Sequence, residues 1–326
     1  MLRLFDDPID SYVSQEVGLQ RIPGLSMALV SRGKVLKSGG YGMANAETQT
    51  PAKPETVYQL ASVTKQVIAA CVLLLEQDTL LGLEDPLLRH MPDAPLAWEK
   101  ITLKHLLTHT SGLVTDEPLD LSRTYTEADA FAATRKLALR STPGEKWEYC
   151  NFGFVLLGEV IRLKTRKRWD QFLTERFLRP LGMLATRRHT LRELVPNRAD
   201  GYELAAESLV NVPSWSRDFS SGGLLTTVLD LAKWDAMLRE GAILKPENRE
   251  KLFEPMVLNS GKPHPYGLGW NLSGTPGKRT AEHGGGRPGF STHFWRELDG
   301  DRSVVVLANR SGADVARIAK GIAQRG

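Results

Sequence analysis

Cysteine is nearly absent from this chain. Cys71 and Cys150 are the only two in 326 residues, too few for a disulfide framework or a thiolate metal set. Long apolar runs are missing as well: the longest, residues 67–75, is less than half of what a bilayer-crossing helix needs. Residues 1–8 contain no apolar segment of signal-peptide length. A cytoplasmic location is the simplest expectation, although a trimmed secreted or periplasmic chain would read the same. Neither sign of charge dominates, the net charge being +4, so nothing demands a polyanionic partner. The basic runs at 162–168 and Arg187-Arg188-His189 read as solvated helix ends rather than a nucleic-acid surface. No G-x-S-x-G occurs anywhere, which removes the commonest serine-hydrolase elbow.

What is present is an ordinary globular composition, 41% hydrophobic and 25% charged, in a chain long enough to bury a substantial core. Alternating runs at 25–32 and 34–43 flank the turn Ser31-Arg32-Gly33-Lys34, and runs at 290–297 and 302–309 flank Asp299-Gly300-Asp301. Both read as β-hairpins. Further strands are expected at 266–272 and 278–283. Helices are expected from Ser62, over 127–139, from Asn151, from Thr227 to about Arg239, and over 313–324. Strands thus lie at both ends with helices between. The expectation is an α/β (α+β) molecule: residues 1–83 and 205–326 forming a sheet domain, 84–204 a mainly helical domain, and an active site between them.

Ala61-Ser62-Val63-Thr64-Lys65 opens the longest apolar helix. Ser62 falls in its first turn, where free N–H groups and the helix dipole favour developing negative charge. Lys65, three residues on, shares a face with Ser62, giving a possible nucleophile and base. The spacing alone is weak: 19 Ser and 16 Lys make roughly one S-x-x-K expected by chance, and Ser31-Lys34 in the hairpin turn is a second. Tyr149-Cys150-Asn151 is the only Y-x-N and carries more weight. A phenol near an ammonium can relay protons, and Asn151 can position an amine or a carbonyl. The alternatives are a buried ring for Tyr149 and a helix N-cap for Asn151. In His283-Gly284-Gly285-Gly286-Arg287 the glycines let backbone approach a substrate and offer N–H groups to an oxyanion; a flexible turn is the plain alternative. His105 and His109 are four apart, but no third ligand accompanies them, so packing is expected and no metal site. Ser221-Gly222-Gly223 reads as a tight turn.

Ser62-Val63-Thr64-Lys65, Tyr149-Cys150-Asn151 and His283-Gly284-Gly285, in that order, resemble the three motifs of the serine β-lactamase and penicillin-binding-protein superfamily. The likeness is to its class C-like branch, which includes family VIII carboxylesterases and D-aminopeptidases. Leu106 through Leu113, Pro143-Gly144, Tyr149 through Gly158, Ser221 through Leu224 and Tyr266 through Trp270 extend it over nearly the whole chain. The resemblance implies a central antiparallel sheet beside a helical domain, Ser62 as the acylated nucleophile, and proton transfer shared by Lys65 and Tyr149. It implies backbone N–H groups of Ser62 and Gly286 as an oxyanion hole, and Asn151, His283, Gly284, Gly285 and Arg287 at the substrate, with no cofactor. Penicillin-processing members usually carry K-T-G where His283-Gly284-Gly285 stands. A largely neutral histidine weakens attraction for a substrate carboxylate, which disfavours an efficient β-lactamase and is compatible with esterases and with aminopeptidase-like members. Short-chain esters are the leading expectation, with β-lactams or D-amino-acid amides the alternative. Arg287 can restore a cation there. A non-catalytic penicillin-binding relative is the third reading.

Overall fold

The structure is a computed structural model that describes residues 7–114, 126–213, 219–241 and 243–326. Seven strands form one antiparallel sheet: β1 (Gly24–Ser31), β2 (Lys34–Asn45), β3 (Thr50–Pro51), β4 (Asn271–Ser273), β5 (Thr280–Arg287), β6 (Phe290–Glu297) and β7 (Arg302–Ala308), in the order β4-β5-β6-β7-β1-β2-β3. Both expected hairpins are present. They join through β1 and β7, from Leu25 opposite Ala308 to Ser31 opposite Arg302, so the two ends of the chain complete a single sheet.

Strand alternation sends neighbouring residues to opposite faces. Leu25, Met27 and Leu29 of β1 and Val304 and Val306 of β7 pack with Ile9 and Val13 of α1 (Pro8–Leu19) and with Ile318 and Ile322 of α6 (Val315–Ala323). Ala28, Val30, Val305 and Leu307 enter the larger core on the other face. At the centre of that core is α2 (Thr64–Gln77), buried from Thr64 through Leu75. A helix apolar on every side belongs inside a domain. It packs against α3 (Asn151–Thr165), around which lie short helices at Leu87–His90, Leu103–Leu107, Glu127–Thr134 and Trp169–Leu173. The helices α4 (Val228–Glu240) and α5 (Pro246–Lys251) follow. Thr227 caps α4 by accepting from the Asp230 N–H, as its sequence suggests.

Three local expectations change. The helix at Glu127 ends at Thr134, where Leu137 N–H turns back to the Thr134 carbonyl instead of extending the helix to 139. Most of 266–272 is not strand: Tyr266 makes one bridge to Asn271, and only Asn271–Ser273 pairs with β5. Gly269, at φ +76°, lies so close to α2 that a Cβ there would be 3.0 Å from the Lys65 carbonyl, so this segment follows the helix and not a ladder. Conversely, β5 does not stop at His283 but runs through the glycines to Arg287. The basic run at 162–168 closes α3, with Arg162 paired to Glu159, Lys167 to Glu175 and Arg168 to Asp170. Among the described residues no helix is long and apolar enough to cross a membrane.

Candidate active site

Ser62 does not stand in α2 itself. It occupies a 3₁₀ turn, Ala61–Val63, that feeds directly into the helix at Thr64. The turn is held from outside: Leu60 N–H donates to the Leu224 carbonyl at 2.8 Å, and Thr292 Oγ1 donates to the Leu60 carbonyl at 2.8 Å. Ala61 is kept at φ +51°, a left-handed conformation that costs a residue with a Cβ about 1 kcal/mol or more. These anchors fix the Ser62 side chain at the lip of the cleft while Lys65 is wholly buried beneath it.

Lys65 Nζ lies 3.2 Å from Ser62 Oγ, 2.6 Å from Asn151 Oδ1 and 2.8 Å from the Ser221 carbonyl. Three separate segments therefore converge on one amine. Asn151 is the first residue of α3 and Cys150 its cap, so the Asn151 amide serves Lys65 rather than the helix end. The Tyr149 ring stands 4.8 Å from Lys65 Nζ and is tilted against the His109 ring at 4.3 Å.

The glycine strand closes the other wall. β4 pairs with β5 only as far as Glu282, so beyond that point the outer edge of β5 has no strand partner among the described residues. It faces the Ser62 turn instead: a Cβ on Gly285 would meet Thr292 Oγ1 at 2.3 Å and the Leu60 carbonyl oxygen at 2.6 Å. Glycine is what allows this approach. Gly286 is exposed, with open space where a Cβ would point. Arg287 donates to the Gly222 carbonyl at 3.1 Å, next to the Ser221 that holds Lys65.

His283 and His109 are joined through a phenol. Tyr266 Oη lies 3.2 Å from His283 Nε2 and 3.1 Å from His109 Nε2. The outer nitrogens settle the direction of each bond. Cys150 N–H donates to His109 Nδ1 at 3.1 Å, so His109 carries its proton on Nε2. His283 Nδ1 lies 2.7 Å from the Gly284 carbonyl, a pure acceptor, so His283 carries its proton on Nδ1. His109 therefore donates to Tyr266, and Tyr266 donates to His283. Burial, reinforced by the nearby Lys65 charge, lowers His283 to about 3 and holds His109 well below its ordinary value. Burial also raises the Tyr266 phenol well above its usual range. Three uncharged groups thus form one polarised chain. Trp147 continues the aromatic wall, 5.7 Å from Tyr266 and stacked at 4.9 Å on His264.

The family model described as Beta-lactamase matches residues 9–326. The chain belongs to the beta-lactamase family. Penicillin-binding protein 4* of Bacillus subtilis (strain 168) is 29% identical over 309 residues, 85% of this chain and 66% of that protein. Protein flp of Staphylococcus aureus (strain MW2) is 29% identical over 325 residues, 95% of this chain and 64% of that protein. The chain thus spans slightly less than two thirds of the length of these relatives. Among solved structures, the octameric penicillin-binding protein homologue from Pyrococcus abyssi superposes with a TM-score of 0.85 at 28% identity, covering 95% of this chain and 75% of that one. The D-amino acid amidase from Ochrobactrum anthropi SV3 complexed with D-phenylalanine gives 0.84 at 23% identity, covering 97% and 98%, a likeness of fold.

Within this beta-lactamase family chain, the residues singled out from sequence, namely Ser62, Lys65, Tyr149, Asn151 and 283–287, are brought into one neighbourhood. Sequence reasoning missed two others. His109 packs as expected, but it is buried directly behind Tyr149 and linked through Tyr266, expected in a strand, to His283. Their signal was present in the Leu106 to Leu113 and Tyr266 to Trp270 segments that contributed to the family resemblance.

Proposed function

We propose that the protein is a serine hydrolase acting through an acyl-enzyme on Ser62, with uncharged short-chain carboxylic esters as its preferred substrates. The observation that carries the reaction type is the meeting of Ser62 Oγ, Asn151 Oδ1 and the Ser221 carbonyl at Lys65 Nζ. Lys65 acts as base after giving up one proton, its Nζ held against the Ser62 hydroxyl by Asn151 Oδ1 and the Ser221 carbonyl. Ser62 Oγ attacks the ester carbonyl carbon as its proton passes to the Lys65 and Tyr149 pair. The C–O bond to the alcohol breaks, and the same pair returns the proton to the leaving oxygen. Water then repeats the sequence on the acyl-enzyme and releases the acid. Backbone N–H groups of Ser62 and Gly286 serve the oxyanion, each such donor contributing about 3 kcal/mol to the transition state.

The neutral His283 supports the preference for esters. Its Nδ1 proton is committed to Gly284 and its Nε2 accepts from Tyr266, so this side chain offers a substrate carboxylate neither charge nor a free donor. A second reading, acylation by a β-lactam or a D-amino-acid amide, is favoured by Arg287, whose guanidinium reaches the cleft wall at Gly222. The names of the relatives point the same way. The test is kcat/KM for p-nitrophenyl butyrate, a chromogenic cephalosporin and D-alanine p-nitroanilide on one preparation. The ester is expected to lead; a lead by the cephalosporin or the anilide moves the assignment to the second reading. Failure of a fluorophosphonate to label the protein makes it a non-catalytic relative.

A further inference from the structure

Away from Ser62, the end of α4, the helix α5 and the turn between β6 and β7 line an open cavity of about 810 Å³. Its inner wall carries three guanidinium groups, those of Arg239, Arg249 and Arg296. The carboxylates on its lining, Glu240, Glu250, Glu254 and Asp301, are all exposed at the rim, and Asp301 is paired with Arg32. Inside, Asp235 is fully buried, while Glu297, also within electrostatic reach of Arg239, is paired with Arg302. Asp235 accepts from Arg239 Nε at 2.9 Å and from Ser303 Oγ at 2.7 Å. Arg296 Nη1 lies 3.5 Å from it, without a hydrogen bond.

Arg239 is otherwise satisfied, donating to the carbonyls of Gly300 and Arg302 and to Ser303. Arg249 Nη1 donates to the Leu238 and Arg239 carbonyls at the end of α4, but its buried Nε has no partner. Arg296 is only 3% exposed, and neither its Nε nor its Nη1 makes a hydrogen bond. Burial, with Arg239 and Arg249 adding to it, lowers this guanidinium to about 10 against the pull of Asp235. Asp235 is shared by Arg239 and Arg296, and Arg249 makes no ion pair among the described residues, so positive charge is in excess here, which is unfavourable where water is excluded. Guanidinium N–H groups that lack a hydrogen-bond acceptor, here Arg249 Nε and Arg296 Nε and Nη1, are groups that bind carboxylate and phosphate.

The surroundings suggest the rest of the ligand. The Phe253 ring stands 5.2 Å from the Arg296 guanidinium. A second recess of about 290 Å³ shares Phe253, Pro255, Arg279 and Leu298 with the cavity and continues along Pro263, Pro265 and Leu272. It ends at His264, which stacks on Trp147, so it backs onto the aromatic wall of the active site. None of Ser62, Lys65, Tyr149, Asn151 or 283–287 lines either space.

We propose that this cavity is a separate binding site for a small organic oxyanion, a carboxylate or a phosphate monoester, held by Arg296 and Arg249 with its carbon portion against Phe253 and the adjoining recess. The test is calorimetric titration of the enzyme at constant ionic strength with inorganic phosphate, with hexanoate, and with hexanol as the uncharged counterpart. At least one anion is expected to bind and hexanol not; phosphate alone or hexanoate alone identifies the headgroup. Arg296→Gln and Arg249→Gln are each expected to weaken that anion by about tenfold or more, with kcat/KM on the ester unchanged. If Arg296→Gln does not fold by circular dichroism, Arg249→Gln decides. Binding of neither anion, equal binding of hexanol, or an affinity unchanged by the substitutions overturns the proposal.

Discussion

Tyr266 donates its phenolic proton to His283 Nε2 across 3.2 Å while accepting from His109 at 3.1 Å. This fixes the protonation of all three groups in a fully buried position. Tyr266→Phe leaves the His109 donor and the His283 acceptor unmet. The expected loss is about 1–3 kcal/mol of stability, read by urea unfolding. A variant as stable as the parent would mean that the chain of bonds does not exist in solution.

Acid should unfold the protein earlier than its carboxylates alone would. His283 and His189 are lowered to about 3, chiefly by burial, and His109 is held well below its usual value. Each is neutral in the folded state and takes a proton when unfolded. Their contribution is therefore intact above the unfolded value of about 6.5 and is lost as pH falls toward the folded one, at about 1.4 kcal/mol per pH unit for each group. Between about pH 6.5 and 5, before most carboxylates titrate, stability should fall steeply in denaturant titrations. A flat profile there would contradict the neutral assignments.

Gly285 and Gly286 are neighbours with opposite expectations. Gly285→Ala drives a methyl into Thr292 Oγ1 and the Leu60 carbonyl, pushing on the turn that carries Ser62. Stability should fall by about 1–3 kcal/mol, and kcat with it. Gly286→Ala points into open space and should leave stability unchanged while raising KM. Thermal melts paired with ester kinetics separate the two. Equal effects would mean that β5 does not lie against the turn as described.

Asn151→Ala removes the 2.6 Å partner of Lys65 Nζ. With Ser221 still in place the amine remains buried but loses its aim, and misplacement of that order typically costs about 10²-fold in rate. The loss should appear in kcat more than in KM.

Much of the fold could be read from sequence because its signals are local. Turn residues between alternating runs marked both hairpins, and the i, i+3 spacing of Ser62 and Lys65 survived the shift of Ser62 from α2 into a 3₁₀ turn. What could not be read depends on contacts between distant residues. His109 meets Tyr266 across 157 positions, and its φ of +58° leaves no mark in hydropathy. The strand expected at 266–272 fails because Gly269 must clear the Lys65 carbonyl, a constraint set by α2. The glycines after His283 looked like an ending, yet they continue β5 because the Ser62 turn presses against them where side chains would stand.

The most direct measurement is the mass of the protein during turnover of p-nitrophenyl butyrate or after a fluorophosphonate probe, followed by peptide mapping. A single acyl or phosphonyl adduct on Ser62 is expected, absent in Ser62→Ala together with all ester turnover, while Ser31→Ala behaves as the parent. An adduct on any other serine, or undiminished hydrolysis by pure Ser62→Ala protein, would contradict the account.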